Sequence, residues 1–344
     1  MIVESSAPTR VDLAGGTVDI WPLYLFHQDS ITVNFAISLP ARCRLSSRPD
    51  NKILLRSLDT KESAEFDGLE SLWSTDRLRM LARLAYFFKP NPGFEISTGG
   101  TAPAGSGLAG SSALNIAICG ALNLFTGAGY DPEKLIQIAK NVEAQVISVP
   151  TGDQDFYPAT YGGVSAIYLT PKGVFREEIP VDLDRLARRF ILIYSGQQRN
   201  SGINNWDVMK RHIDGDSKVF ESFEGIIHAA RKIVVALRSG NFDAIDAALE
   251  EEWFHRRLLS DGITTPEIEE IITRARKLGA GGAKICGAGG GGCMVITVPE
   301  GRRQSIEEKL GLKYFSVNEN LKRKIITLHS HLQYDHHPIR RIVF

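Results

Sequence analysis

The chain has 344 residues, more than one compact core usually serves, and its 40 basic and 40 acidic residues leave a formal net charge of zero. That balance argues against a broad nucleic-acid-binding or membrane-surface face, while leaving room for a local basic pocket, so the expected partner is a small molecule. No stretch of eighteen apolar residues occurs, and Met1-Ile-Val-Glu-Ser-Ser6 lacks a basic region leading into an apolar run. The sequence therefore reads as cytoplasmic, with no membrane partner.

From Ile2 to about Leu58 the chain reads as strands and turns: Val3 to Ser6, Ser30 to Ser38, Ala41 to Ser47 and Ile53 to Ser57. Two of these, Ile31-Thr-Val-Asn-Phe-Ala-Ile37 and Arg42-Cys-Arg-Leu-Ser-Ser47, alternate as half-buried strands do. A helix over about 76–88 stops before Pro90 and Pro92, and a strand over Gly93 to Ser97 follows. Two helices come next, Ser111 to Phe125 and Pro132 to Ile147. The second is announced by Asp131 at the N-cap and Pro132 at the first helical position. Gly162-Gly163 turns into a strand over 164–169, and Phe190 to Tyr194 is a strand opening a second domain, so the expected division is 1–185 and 186–344. Beyond it lie amphipathic helices over about 217–238, 241–260 and 266–278, with Gly240 as a stop signal between the first two. A glycine-rich run, the strand Cys293-Met-Val-Ile-Thr-Val298 and a helix over about 303–310 follow. Cys43, Cys119, Cys286 and Cys293 show no Cys-x-x-Cys spacing and read as buried reduced thiols.

The stretch Pro103-Ala-Gly-Ser-Gly-Leu-Ala-Gly-Ser-Ser-Ala113 links a strand to an apolar helix. Gly105, Gly107 and Gly110 let backbone approach a bulky ligand, and free N–H groups at the helix start add partial positive charge. A phosphate is the natural occupant. A plain glycine-rich turn, with Ser111 or Ser112 as an ordinary N-cap, is the competing reading of the same residues. The second glycine run contains Gly287-x-Gly289-x-x-Gly292, the dinucleotide spacing, but a strand follows where that fingerprint must open a helix. Glycines ahead of a strand instead bring backbone close to another segment or ligand. His329, His331, His336 and His337 lack the spacing of metal ligands and read as solvent-facing.

Three segments in order, Ala7-Pro-Thr-Arg-Val-Asp-Leu-Ala-Gly-Gly-Thr-Val-Asp19, the Pro103 to Ala113 loop, and Lys284 to Cys293, resemble the three motifs of the GHMP small-molecule kinases. The resemblance implies an α+β, two-domain fold: a mixed N-terminal domain with a left-handed βαβ unit and a ferredoxin-like C-terminal domain. It implies that Pro103, Gly105, Ser106, Gly107, Leu108, Ala109, Gly110, Ser111 and Ser112 cradle ATP, with the third motif packed against them and Gly289 and Gly290 shaping the acceptor site.

The same resemblance assigns the chemistry. The spacing from Glu143 to Asp155 is similar to that between a Mg²⁺ ligand and the catalytic aspartate of galactokinase-like members. Glu143 and Ser112 would therefore hold Mg²⁺, and Asp155 would accept or orient the acceptor's proton. Taken alone, Glu143 is a solvated helix residue and Asp153 competes with Asp155; the family's spacing from Asp155 to Gly162-Gly163 selects the latter. Arg10 matches the first-motif cation that offsets developing negative charge, and Asp19 the carboxylate that accepts substrate hydroxyls. Gly16 and Thr17 stand where galactokinases carry Glu-His, which argues against ordinary galactose. Gln154, Asp155 and Tyr157, the Ser195 to Ser201 segment, and Trp253 to Ser260 resemble the heptose 7-phosphate kinase and fucokinase branch. That branch implies phosphorylation of an anomeric hydroxyl, with D-glycero-D-manno-heptose 7-phosphate the expected acceptor. Arg199, Arg256 and Arg257 are then candidates for a distal phosphate. Another sugar or polyol acceptor is the alternative within the family, and the reading allows a homodimer. A catalytically silent sugar-binding regulator is a third reading, opposed by the joint presence of Arg10, Ser112, Glu143 and Asp155.

Overall fold

The computed structural model describes residues 1–91, 93–195, 201–311, 314–315 and 339–343, with backbone only for 201–204, 314–315 and 339–343. The first half builds one sheet. Strand β1 (Ile2–Ala14) pairs antiparallel with β2 (Ile31–Ser47), and β3 (Ile53–Ser57) with β4 (Glu62–Phe66). Helices α1 (Glu70–Ser74) and α2 (Arg79–Phe88) then lead to β5 (Phe94–Gly100), which lies between β2 and β3. Helices α3 (Gly110–Thr126), α4 (Pro132–Ile147) and α5 (Phe156–Tyr161) precede a hairpin of β6 (Val164–Thr170) and β7 (Gly173–Glu178), with β6 pairing β2.

The second half follows helix α6 (Leu183–Arg188). Strand β8 (Phe190–Tyr194) starts a new antiparallel sheet, and helices α7 (Ser201–Ile213), α8 (Ser217–Ser239), α9 (Asp243–Arg256) and α10 (Pro266–Lys277) follow, α9 and α10 packing on that sheet and α8 lying between α9 and strands β1 and β2. Strands β9 (Ala283–Ile285) and β10 (Cys293–Thr297), helix α11 (Arg303–Leu310) and β11 (Tyr314–Phe315) complete the order β11-β8-β10-β9. The closing strand β12 (Ile339–Val343) returns to pair in parallel with β1. The first sheet thus takes an edge strand from the segment that the expected division at residue 185 places in the other domain.

Local sequence explains the elements that position the cleft. α3 is apolar almost all round and is buried against β1 and β2. α4 starts where expected because Asp131 accepts a hydrogen bond from the Lys134 amide at 2.8 Å, with Pro132 at the first helical position. β2 is one strand where two were expected. Its register with β1 slips between Ala7/Ala41 and Thr9/Ile37, so residues 38–40 bulge and Pro40 is spared a ladder donor. Gly287 to Gly292 form the connection between two antiparallel strands, as their context required, and no helix follows them. All four cysteines are buried and outside any disulfide, and burial pushes the Cys43 thiol up to about 12. No helix among the described residues is long and apolar enough to cross a membrane. The four histidines of the tail lie outside the described residues.

Candidate active site

A cleft of about 760 Å³ opens between the two halves, within the range of small-molecule sites. Its floor is the loop leading into α3. The helix is preceded by Ala109 in the left-handed region (φ 59°), a conformation costing a non-glycine residue about 1–2 kcal/mol. No side chain caps this end. Ser111 and Ser112 are therefore not ordinary N-caps, and the first amides of α3 have no side-chain acceptor. That arrangement suits an anion.

The third motif closes on the loop from the second half. The Cys293 amide donates to the Ser106 carbonyl at 2.6 Å, and a Cβ on Gly292 would lie 2.6 Å from that same oxygen. Only glycine permits this approach.

Both serine hydroxyls reach back to α4. Ser111 Oγ donates to Glu143 Oε1 at 2.5 Å, Ser112 Oγ to Oε2 at 3.4 Å, and Thr151 Oγ1 to Oε2 at 3.3 Å. Glu143 is buried, and its recorded partners among the described residues are hydroxyls, with no ion pair. Burial, against the Ser111 hydrogen bond, and then the charge of Asp155 push its carboxyl up to about 7. A buried carboxylate without a cation, beside hydroxyls at a phosphate-type loop, is a donor set that a hard divalent cation fits.

Across the cleft, Arg10 on β1 donates to one oxygen of Asp155, from Nε at 2.9 Å and Nη2 at 2.6 Å, and from Nη1 to the Gly107 carbonyl at 2.7 Å. Asp155 Oδ2 has no recorded hydrogen bond among the described residues. Asp153, its competitor in the sequence, points away and pairs with Lys140 Nζ at 2.5 Å. Asp19 accepts the Gln154 amide at 2.8 Å, and any side chain on Gly152 would collide with its carboxylate. Burial first, then the charge of Asp155, push Asp19 up to about 7 against the Gln154 bond.

The cleft thus gathers Arg10, Gly16, Thr17, Asp19, Glu143, Gln154 and Asp155 with Pro103, Gly105, Ser106, Gly107 and Ala109 to Ser112. Other expected residues fall elsewhere. Leu108 is wholly buried in the core, and its carbonyl accepts the Arg10 amide. Gly289 and Gly290 do not line the cleft. The Gly290 amide donates to the Ile263 carbonyl at 2.8 Å, and the wall is made by Gly287 and Ala288 instead. Arg256 corrects a further expectation: it is fully buried and cannot face a distal phosphate. Arg257 is partly exposed near Glu269 and over the Phe254 ring, away from the cleft lining. Arg199 lies outside the described residues. Asn205 of α7 lines the cleft and was not foreseen, because its segment carries no motif.

An uncapped helix on a glycine loop, a buried carboxylate beside it, and an aspartate clamped by an arginine across the gap make an arrangement suited to phosphoryl transfer to a small molecule. The chain matches the N-terminal domain model of GHMP kinases over residues 77–163 and the C-terminal model over 233–316. It belongs to the GHMP kinases, and is an ATP-dependent phosphotransferase of the two-domain GHMP fold. It is 27% identical over 317 residues to D-glycero-alpha-D-manno-heptose 7-phosphate kinase of Campylobacter jejuni, covering 90% of this chain and 93% of that one. It is 28% identical to the mevalonate kinase of Archaeoglobus fulgidus, covering 84% and 90%. The solved D-glycero-D-manno-heptose 1-phosphate kinase of Bacteroides thetaiotaomicron superposes with a TM-score of 0.74 at 21% identity, covering 92% and 94%.

Proposed function

We propose that the protein transfers the γ-phosphoryl group of ATP to the anomeric hydroxyl of a sugar, with D-glycero-D-manno-heptose 7-phosphate the first acceptor to test. The observation that carries this reading is the Arg10–Asp155 clamp, standing in one cleft with the α3 loop and Asp19. The loop amides take the phosphates. Asp19 accepts acceptor hydroxyls, and Asp155 Oδ2 takes the proton as the acceptor oxygen bonds to phosphorus and the bond to ADP breaks. Arg10 offsets the charge that develops, and little covalent help is needed in so loose a transition state. Glu143 and Ser112, with Ser111 adjacent, would hold Mg²⁺. When bound, the metal supplies charge neutralisation at the phosphate oxygens. The two domains are taken to divide near residue 185, between β7 and β8.

The choice of heptose phosphate draws on the Campylobacter relative. A neutral sugar is the second reading, favoured by one observation. Arg10 is the only lysine or arginine lining the cleft among the described residues, and it is already engaged. Of the three arginines expected to hold a distal phosphate, only Arg199, outside the described residues, is then left to test. ADP release over a panel of sugars and sugar phosphates, with product NMR, tests both. Turnover of heptose 7-phosphate, weakened by Arg199→Ala, supports the first; turnover of neutral sugars alone supports the second. No ADP release with any sugar defeats both.

A further inference from the structure

Four charged side chains are buried completely where the two halves meet: Asp12 on β1, Glu252 and Arg256 on α9, and Lys284 on β9. Lys284 Nζ lies 3.0 Å from Asp12 Oδ2 and 3.2 Å from Glu252 Oε1, and also donates to the Asp12 carbonyl at 3.1 Å. Glu252 Oε1 in turn accepts Arg256 Nε at 2.7 Å. Two acids and two bases balance, so the cluster is neutral. Ion pairs this deep recover at best what desolvation costs, so the cluster is poorly explained as a source of stability.

The cluster ends on a turn of the cleft. Arg256 Nη2 donates to the Gly16 carbonyl at 2.9 Å, and Nη1 reaches Thr17 Oγ1 at 3.5 Å. Thr17 has φ 73°, a left-handed conformation that a β-branched residue adopts only under constraint. The Val18 amide then bonds to the Gly15 carbonyl at 3.2 Å and the Ile20 amide to that of Thr17 at 3.3 Å, which delivers Asp19 to the Gln154 amide. Gly16 and Thr17 line the cleft, whereas Arg256 does not.

We propose that Arg256, held in place by Glu252, Lys284 and Asp12, is a positioning residue that fixes the Gly15–Asp19 turn and thereby sets acceptor affinity without touching the ligand. The inference rests on the reading of Asp19 as an acceptor contact. It makes acceptor binding depend on the junction between the halves, since Arg256 and Lys284 come from one and Asp12 and Gly16 from the other.

The test uses Arg256→Lys, which keeps the charge and loses the guanidinium fork. The expected result is an acceptor KM raised at least about tenfold, with the nucleotide KM within about twofold of wild type. Amide hydrogen exchange at Val18 and Ile20 should accelerate by a similar factor, while the Ala113 amide in α3 stays protected. A folded Arg256→Lys protein with unchanged acceptor KM and unchanged exchange at Val18 and Ile20 overturns the proposal. Should that variant not fold, the neutral pair Glu252→Gln with Arg256→Met replaces it, since buried ion pairs tolerate joint neutral replacement, and the same outcomes apply. Asp19→Asn, assayed alongside, separates the two readings. If it leaves acceptor KM unchanged, the acceptor-site reading falls and exchange at Val18 and Ile20 alone decides the role of Arg256.

Discussion

Arg10 and Asp155 meet through a fork on a single oxygen, at 2.9 and 2.6 Å, while the remaining guanidinium nitrogen of Arg10 holds the Gly107 carbonyl at 2.7 Å. One side chain therefore ties the proposed base to the glycine loop before α3. Lysine cannot span both partners with that geometry. Arg10→Lys is expected to lower kcat by about 10²-fold and also to raise the KM for ATP, a double effect expected of a residue serving both sites. Steady-state kinetics varying each substrate checks it; a change in kcat alone would mean that the Gly107 contact is incidental.

Glu143 has only hydroxyl partners among the described residues, and in the proposed reading its charge would be met by a cation brought with the nucleotide. Glu143→Gln keeps the shape and removes the charge. Mg²⁺-dependent ATP binding should weaken by at least the roughly 10–100-fold that loss of even an outer metal contact costs. Titration of ATP with and without Mg²⁺ measures it, and equal affinity in wild type and variant would remove Glu143 from the metal site.

The Asp19 carboxyl stands at about 7, raised from 3.8 by burial and the charge of Asp155. The ionised form is the stronger acceptor of sugar hydroxyls, so with saturating Mg²⁺-ATP, which in the proposed reading would hold Glu143 ionised, kcat/KM for the acceptor should fall about tenfold per pH unit below 7, and Asp19→Asn should flatten that limb. The sign for stability is opposite. Between about pH 4 and 7 the folded protein keeps a proton that the unfolded chain has lost, so this group's contribution declines as pH rises through that window. Thermal unfolding of the ligand-free protein, compared with Asp19→Asn across those pH values, reads the difference; identical pH dependences would contradict the raised value.

Gly152→Ala places a methyl group on the Asp19 carboxylate. We expect the acceptor KM to rise while nucleotide binding persists, with about 1–3 kcal/mol of lost stability from overpacking. Denaturant melts and substrate titrations check both parts. Wild-type acceptor KM in this variant would show that Asp19 does not need its present seat.

Where helix signals were local, the sequence was legible. Asp131-Pro132 and Gly240 marked real helix ends, the latter at φ 67° as the C-cap of α8. α7 escaped notice because the Ser201-Gly-Ile-Asn-Asn205 start of Ser201–Ile213, with its glycine and two asparagines, reads as a loop. The later part of β1 escaped because burial on both faces erases alternation: Arg10 and Asp12 are buried there, although charged. Their partners lie far away in the chain, 145 residues for Arg10 with Asp155 and 272 for Asp12 with Lys284. No local pattern records such pairings. Asp155 and Glu143 are singled out by family spacing and both line the cleft, whereas Arg256 looked like a free phosphate ligand because nothing in Trp253 to Ser260 reveals the buried Glu252–Lys284 cluster that holds it.

In the proposed mechanism Asp155 serves the acceptor and not the nucleotide. Single-turnover phosphoryl transfer by Asp155→Asn, measured beside its ATP affinity, tests this most directly. The expected result is a rate lower by about 10²–10⁴-fold with ATP affinity within a few-fold of wild type. A variant that binds ATP normally and still transfers phosphate at the wild-type rate would contradict it.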